Sequence, residues 1–471
     1  MVFWLAVILV ILSLSIRHTA SYTPRSVRQT SKSYSSSNIV ITNTHTPIKM
    51  ASNTNNDAGN SPTLSSGKKR SRISPMVDNM TTSKTIEIHS LTKDMESKGQ
   101  QVFSLCVGEP DYQPPAEVLK ATSAAAEQGM TKYTAVTGDA KLRKAIAADL
   151  TARKGTPYSP EQIVVANGAK QSVIQTLLSV VSPGDGVIIP APYWPSYPDM
   201  VKMCGAEPVV VKTSASNGYI LSGKDLRYAL ESSKKKISCL IFCNPSNPTG
   251  GVANKQQLDE IASVLRDFPD VIVVADEIYE RLVYDINHTS FASLEGMYDR
   301  TVVINGFSKS HSMTGYRIGY SASALDIAKA VGKLQSQMTS CASSVGQEAA
   351  RVALTEVGEG WIVDRVKELK AKRDLAYQLL LSIPHLTCPK PDGAFYLLPD
   401  VSHYYGRKTT TGTVVNDSHT LCLELLRFQQ VALVSGDAFG DDRCIRLSYA
   451  ASEELITNSI NRLGDFLNSL K

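Results

Sequence analysis

The amino-acid sequence predicts an α/β protein: a large domain around a mainly parallel, seven-stranded sheet, and a smaller α+β domain made from both chain ends. Three observations carry the prediction. From residue 160, short β-branched runs alternate with helical stretches. The runs are almost continuously apolar and bounded by turn residues, as expected of strands buried on both faces beneath helices. From about residue 345 the pattern becomes mostly helical, then returns to short strands near the end.

Taken in order, the chain opens on "VFWLAVILVILSLSI" (2–16), too short for a comfortable membrane span and suited to the core of a signal peptide. Small residues near Ala20 and Ser21 suit cleavage, so residues 1–21 are expected to be a signal peptide. Residues 22–72 are rich in Ser, Thr and Asn, basic and almost free of acids, which is the composition of a transit peptide. Such a segment cannot bury enough apolar surface to fold. A membrane anchor followed by a linker is the ordinary alternative. Domain boundaries follow at 73–118 for the first part of the small domain, 119–360 for the large domain and 361–471 for the rest.

Seven segments read as strands of the large sheet: 162–166, 186–190, 208–211, 239–243, 271–275, 301–304 and 317–322. "KQSVIQTLLSVVS" (170–182) and "KQQLDEIASVLRDF" (255–268) carry apolar residues at helical spacing, and 346–382 reads as one long helical segment. Strands then return at 393–399, 431–436 and 444–450.

Composition excludes some functions. The net charge of +5 is concentrated in the first 72 residues, where nine Lys or Arg face the single acid Asp57, leaving residues 73–471 at −3. A slightly acidic body gives no electrostatic case for nucleic-acid binding. The eight cysteines are scattered without paired spacing, so neither a disulfide framework nor a zinc site is expected.

Ligands of open α/β sheets collect at the carboxyl ends of strands. Four strand ends here carry unusual polar residues. "ANGAKQS" (166–172) opens a helix, with the amides of Ala169 and Lys170 suited to an anion. "NPSNPTG" (244–250) presents Asn247, "ADEIYERLVYD" (275–285) presents Asp276 and Tyr279, and "NGFSKSHSMTGYRIGY" (305–320) presents Lys309. Singly, each has an ordinary reading: a turn, a helix cap, a sheet-edge tyrosine, a solvated lysine. Jointly they ask for a ligand with a phosphate, a basic ring nitrogen, a ring oxygen and an aldehyde. Pyridoxal 5'-phosphate has all four.

These motifs, with "VGEPD", "TKYTAVTG", "APYWPSYP", "PDGAFYLLPD" and "CIRLSYA", occur in an order that resembles the class I aminotransferases of fold type I. Within them the chain is similar to the aspartate/prephenate aminotransferase branch of prokaryotes and plant plastids, over roughly 400 residues. The resemblance implies roles. Lys309 would hold the cofactor's aldehyde and move the substrate's proton. Asp276 would pair with the ring nitrogen, Tyr279 and Asn247 would bond the ring oxygen, and Trp194 would stack on the ring. Arg317 would fork onto the phosphate, helped by Ala169, Lys170 and Ser308, the last standing in for a serine that relatives carry where this chain has Gly306. Tyr133 would reach the phosphate of a neighbouring subunit, implying a homodimer with shared active sites. Arg446 would clamp the substrate's α-carboxylate, with Gly108 allowing close approach and Trp194 and Asn247 also touching substrate. Lys170, disfavoured by the dipole at a helix start, would meet a second carboxylate, assisted by Thr85 beside Ser83.

The implied activity is transamination of aspartate or glutamate with 2-oxo acids, and of prephenate to arogenate. The implied partners are small amino acids and 2-oxo acids, with no metal, no nucleic acid and no membrane in the mature form. A C–S lyase, an aromatic or alanine aminotransferase, and a non-catalytic protein that kept the fold are the alternatives. The two-part leader resembles those that direct proteins to the plastids of algae with complex plastids; the secretory pathway and the mitochondrion are the other addresses.

Overall fold

The computed structural model describes residues 72–78, 80 and 84–471. The expected signal and transit segments therefore lie outside the described residues, apart from Arg72, as does Ser83. The seven expected strands form one sheet. In chain order β1 is Phe103–Ser104, β2 Ile163–Ala166, β3 Gly186–Ala191, β4 Glu207–Lys212, β5 Ile237–Cys243, β6 Ile272–Asp276, β7 Thr301–Gly306 and β8 Gly319–Ala322. The large sheet runs β2-β8-β7-β6-β5-β3-β4. All neighbours are parallel except β8, which runs antiparallel to both β2 and β7. Strands β2 and β7 are buried at every position, which explains their unbroken apolar sequence. Edge strand β4 is exposed or half-buried throughout.

The helices that cover the sheet are specified locally. Asp139 caps the helix Ala140–Lys154 by accepting from the amides of Lys141 and Leu142, and Gly155 ends it at φ 65°. Leu142, Ile146, Ala147 and Leu150 form its buried face. Asn254 and Gln257 make a capping box for the helix Lys255–Arg266. The helix Ala169–Val180 buries six successive residues, Ser172 to Leu177, and so lies within the core.

The long helix expected over 346–382 is two helices, Ser344–Thr355 and Glu359–Leu381. The break falls at "EVGEG", where Gly358 takes an extended conformation (φ −66°, ψ 145°) and becomes the cap of the second helix. Glycine gains little from remaining helical, so the chain turns there. The late strands are shorter than expected: β9 is Tyr396–Leu397, β10 Val431–Ala432, β11 Val434–Ser435 and β12 Ile445–Ser448. They belong to two small sheets, β11-β12-β9 and β1-β10, and the second pairs the two ends of the described chain. One apolar core joins Ile88 and Leu105 to residues between 369 and 470, and it also takes in Ile278, Tyr279 and Leu282. All eight cysteines are free. Among the described residues, no helix is long and apolar enough to cross a membrane.

Candidate active site

A cavity of about 500 Å³ opens at the carboxyl ends of β5, β6 and β7, within the usual size of a small-molecule site. Gly108, Ala169, Lys170, Trp194, Asn247, Asp276, Tyr279, Ser308, Lys309, Arg317 and Arg446 all line it. Eleven of the residues expected from the sequence thus meet in one place. Tyr133 does not line it and is 88% exposed. Thr85 lies in the first turn of the helix Lys84–Ser97, and its side chain lies outside the described residues.

Asp276 is the last residue of β6 and is 5% exposed. Its Oδ2 accepts from the Tyr197 hydroxyl at 2.7 Å and its Oδ1 from the Ile278 amide at 3.3 Å. Burial raises its carboxyl to about 6; the Tyr197 hydrogen bond opposes that rise, followed by the Ile278 amide. Sequence reasoning assigned no role to Tyr197. It sits three residues after Trp194 in "APYWPSYP", and nothing in that spacing reveals that its hydroxyl reaches another strand.

Lys309 follows β7, and its Nζ donates to the Gly108 carbonyl at 2.5 Å. Burial lowers its ammonium to about 8, Glu109 opposing and Arg317 and Arg446 assisting. At that value an appreciable share of the amine is neutral near pH 7, which a nucleophilic lysine needs. Gly108 has little room to be anything else: a Cβ there would lie 2.5 Å from the Tyr396 hydroxyl.

On the anion side, Arg317 adopts a left-handed backbone (φ 56°), uncommon for a residue with a side chain. Its guanidinium packs against Gly168, the cap of the helix Ala169–Val180, where a Cβ would lie 2.5 Å from Arg317 Nη2. Only glycine, here at φ 90°, lets the cation and the first turn of the helix share one cradle. Lys170 Nζ lies 4.9 Å from the centre of the Trp194 ring. Burial lowers its ammonium, and Arg317 lowers it further.

Arg446, on β12, is held between the rings of Tyr396 and Phe439, at 4.6 and 4.9 Å. It donates to Asn247 Oδ1 at 3.1 Å and to the Cys106 carbonyl at 2.7 Å. Its buried Nε has no partner, so one donor is left for a ligand. The Tyr279 hydroxyl bonds that of Tyr396 at 2.8 Å. Tyr396, Phe439, Glu109 and Thr314 are further lining residues that the sequence reading left without a role. Tyr396 lies within a motif that was singled out, but its neighbours there gave no chemical signal.

The residues fit pyridoxal phosphate. A cation beside a helix start suits the phosphate, a buried carboxylate suits a protonated ring nitrogen, and a lysine of depressed basicity suits the aldehyde. The orphaned Arg446 Nε suits a substrate carboxylate.

Comparison with known proteins agrees. Residues 100–463 match the family Aminotransferase class I and II. The chain is 44% identical over 402 residues to the bifunctional aspartate aminotransferase and glutamate/aspartate-prephenate aminotransferase of Petunia hybrida, covering 85% of this chain and 83% of that protein. It is 38% identical to the aspartate/prephenate aminotransferase of Cereibacter sphaeroides, over 82% of this chain and 96% of the other. Among solved structures, the aspartate aminotransferase of Rhizobium meliloti superposes with a TM-score of 0.81 at 34% identity, covering 85% of this chain and all of that one. The aspartate aminotransferase of Thermus thermophilus with maleate gives 0.78 at 32% identity, over 84% and 99% of the two chains.

Proposed function

The chain belongs to the class I and II aminotransferases, and from that premise we propose that it transaminates aspartate and glutamate with 2-oxo acids, taking prephenate as a further acceptor to give arogenate. As a member it is an aminotransferase, acts on amino acids and 2-oxo acids, and uses pyridoxal phosphate. The observation that carries the substrate reading is the presence, besides Lys309 and Arg317, of two separately placed cations in one cavity, Arg446 on β12 and Lys170 on the helix Ala169–Val180. Among the described residues no carboxylate pairs with Lys170, although its ammonium is partly desolvated. A dicarboxylate would supply both missing partners, and the Thermus relative was solved with one.

When bound, the cofactor would supply a carbonyl carbon to carry the substrate's nitrogen and a ring able to accept electrons. The protein's part follows from the placed groups. Asp276 holds a proton at the ring nitrogen, and Tyr197 holds Asp276. Tyr279 and Asn247 bind the ring oxygen. Arg446 fixes the α-carboxylate, which orients the Cα–H bond. Lys309 Nζ then takes the proton from Cα.

Lys170→Ala tests the reading. It should lower kcat/KM for dicarboxylic substrates by ~2–4 kcal/mol, the cost of removing one partner of a buried charge pair, and leave alanine nearly unchanged. Equal losses for both classes would overturn the dicarboxylic assignment.

The same reading makes the enzyme a homodimer in which exposed Tyr133 serves the neighbouring site. It keeps the division into a large domain, 119–360, and a small domain, 73–118 with 361–471, which the apolar core joining the two chain ends supports. Residues 1–72 would direct it to a plastid, in keeping with the plant relative. An active monomer in light scattering, or secretion of a reporter fused to residues 1–72, would overturn these assignments.

A further inference from the structure

Lys154 ends the helix Ala140–Lys154 and does not line the cavity. A lysine in a last turn suits the helix dipole, but it would ordinarily lie in solvent. Here its Nζ lies 2.5 Å from Glu277 Oε2, with the two side chains 4% and 2% exposed. The other oxygen of Glu277 accepts from Ser290 Oγ at 2.9 Å and from the Phe291 amide at 3.0 Å. Beside this pair, Glu280 takes both terminal nitrogens of Arg153 at 3.0 Å, and Arg153 also holds Asp149. Burial alone raises the Glu280 carboxyl, but Lys154 and then Arg153 outweigh it and hold it well below the usual range. His288 Nε2 lies 3.1 Å from the Asn244 carbonyl, and the Asn244 amide donates to the Asp276 carbonyl at 3.0 Å. Asn305, at the end of β7, lies 3.5 Å from Glu280.

The cluster thus joins the ends of β5, β6 and β7, the three strands that lead to Asn247, Asp276 and Lys309. Buried ion pairs seldom add net stability over apolar packing, so stability alone is a weak reason for one here. Position gives a better one. Glu277 is the residue after Asp276, and its charge opposes the ionised form of Asp276, whereas Tyr197, the Ile278 amide and Lys309 favour it. Cys243 also faces Asp276, and His288, Tyr158 and Tyr320 also face Glu277. Lys154 is the one cation in direct contact with Glu277 among the described residues.

We propose that Lys154 is a positioning residue for the cofactor's ring nitrogen: by pinning and neutralising Glu277, it keeps Asp276 ionised and fixed at the end of β6. The proposal rests on Asp276 being the partner of that nitrogen. A neutral Asp276 no longer pairs with the ring, so cofactor affinity should fall on the acid side as Asp276 takes up a proton.

The test is the dissociation constant of pyridoxal phosphate against pH, by equilibrium dialysis of the full-length protein. In Lys154→Met the acid-side fall should move up by about one pH unit, the usual effect of uncovering a like charge nearby. In Glu277→Gln it should move down, and in the double variant it should return to within a few tenths of the wild type. The Glu277→Gln and double variants keep the test open if Lys154→Met does not fold. An unmoved profile in Lys154→Met, with only its melting temperature lowered, would mean a purely structural pair and overturn the proposal. So would an upward shift in Glu277→Gln. In an Asp276→Asn background, where only Lys309 and the cofactor's phosphate still titrate, neither Lys154→Met nor Glu277→Gln should move the acid-side fall. If Lys154→Met still moved the fall in that background, the role of Asp276 itself would be wrong and the proposal would go with it.

Discussion

The two walls of the cavity are built differently. Lys309 and Asn247 follow β7 and β5, and Asp276 ends β6, all central strands of a seven-stranded sheet that are paired on both sides. Gly108, Tyr396 and Arg446 rest on segments whose strands are only two to four residues long. On the proposed reading, the first wall would carry the groups that act on the cofactor, and the second the group that grips the substrate. Chemistry needs groups fixed before the ligand arrives, and paired central strands provide that. A grip can be assembled from thinner elements, provided that each donor is anchored. Arg446 is anchored by two rings, Asn247 Oδ1 and the Cys106 carbonyl, so the walls meet at Asn247. The contrast predicts that damage to the sheet wall appears in kcat and damage to the other wall in KM.

The largest effect should come from Lys309. On the proposed reading, Lys309→Ala would remove the amine that holds the aldehyde and moves the proton, so nearly all turnover and the visible absorption of the bound cofactor should disappear. Lys309→Arg should fail as well, because a guanidinium stays charged. Turnover within tenfold of the wild type in either variant would take the chemistry away from the sheet wall.

Arg446→Lys probes the opposite wall. The ammonium keeps the charge but loses the fork, and it cannot bridge two rings, a carbonyl and a carboxylate at once. A loss of about 100-fold in kcat/KM, ~2.7 kcal/mol, is expected, mainly in KM. Steady-state kinetics that placed the whole loss in kcat would erase the distinction between the walls.

The smallest effect should follow Tyr197→Phe, which deletes one hydroxyl and leaves the packing against Trp194 intact. That hydroxyl favours the ionised form of Asp276, whose carboxyl lies at about 6, so its removal raises the value further. Activity should then fall at a higher pH as the solution is acidified, with about a tenfold loss, ~1.4 kcal/mol, near pH 6 and little change at pH 8. An unchanged acid limb would show that Tyr197 only fills space.

Much of this was determined by the sequence alone. Most strands of the large sheet were legible because strands buried on both faces are almost uniformly apolar, and the exposed edge strand β4 because of its valine run at 209–211. The residues that line the cavity were legible because the fold places ligands at the carboxyl ends of parallel strands, so a lone Lys309 or Asp276 at the end of such a run stands out. The short strands β9 to β12 were blurred, since two residues give no periodicity, and the helix break at Gly358 was hidden inside a pattern that scanned as helical. Tertiary structure alone decided which distant side chains meet. Tyr197 is 79 residues from Asp276, Lys154 is 123 from Glu277 and Arg446 is 199 from Asn247. Local sequence sets the period, the caps and the turns because those depend on neighbours along the chain. Contacts across such separations are settled only when the sheet closes and the helices pack, and there the charge beside Asp276 finds its counter-ion.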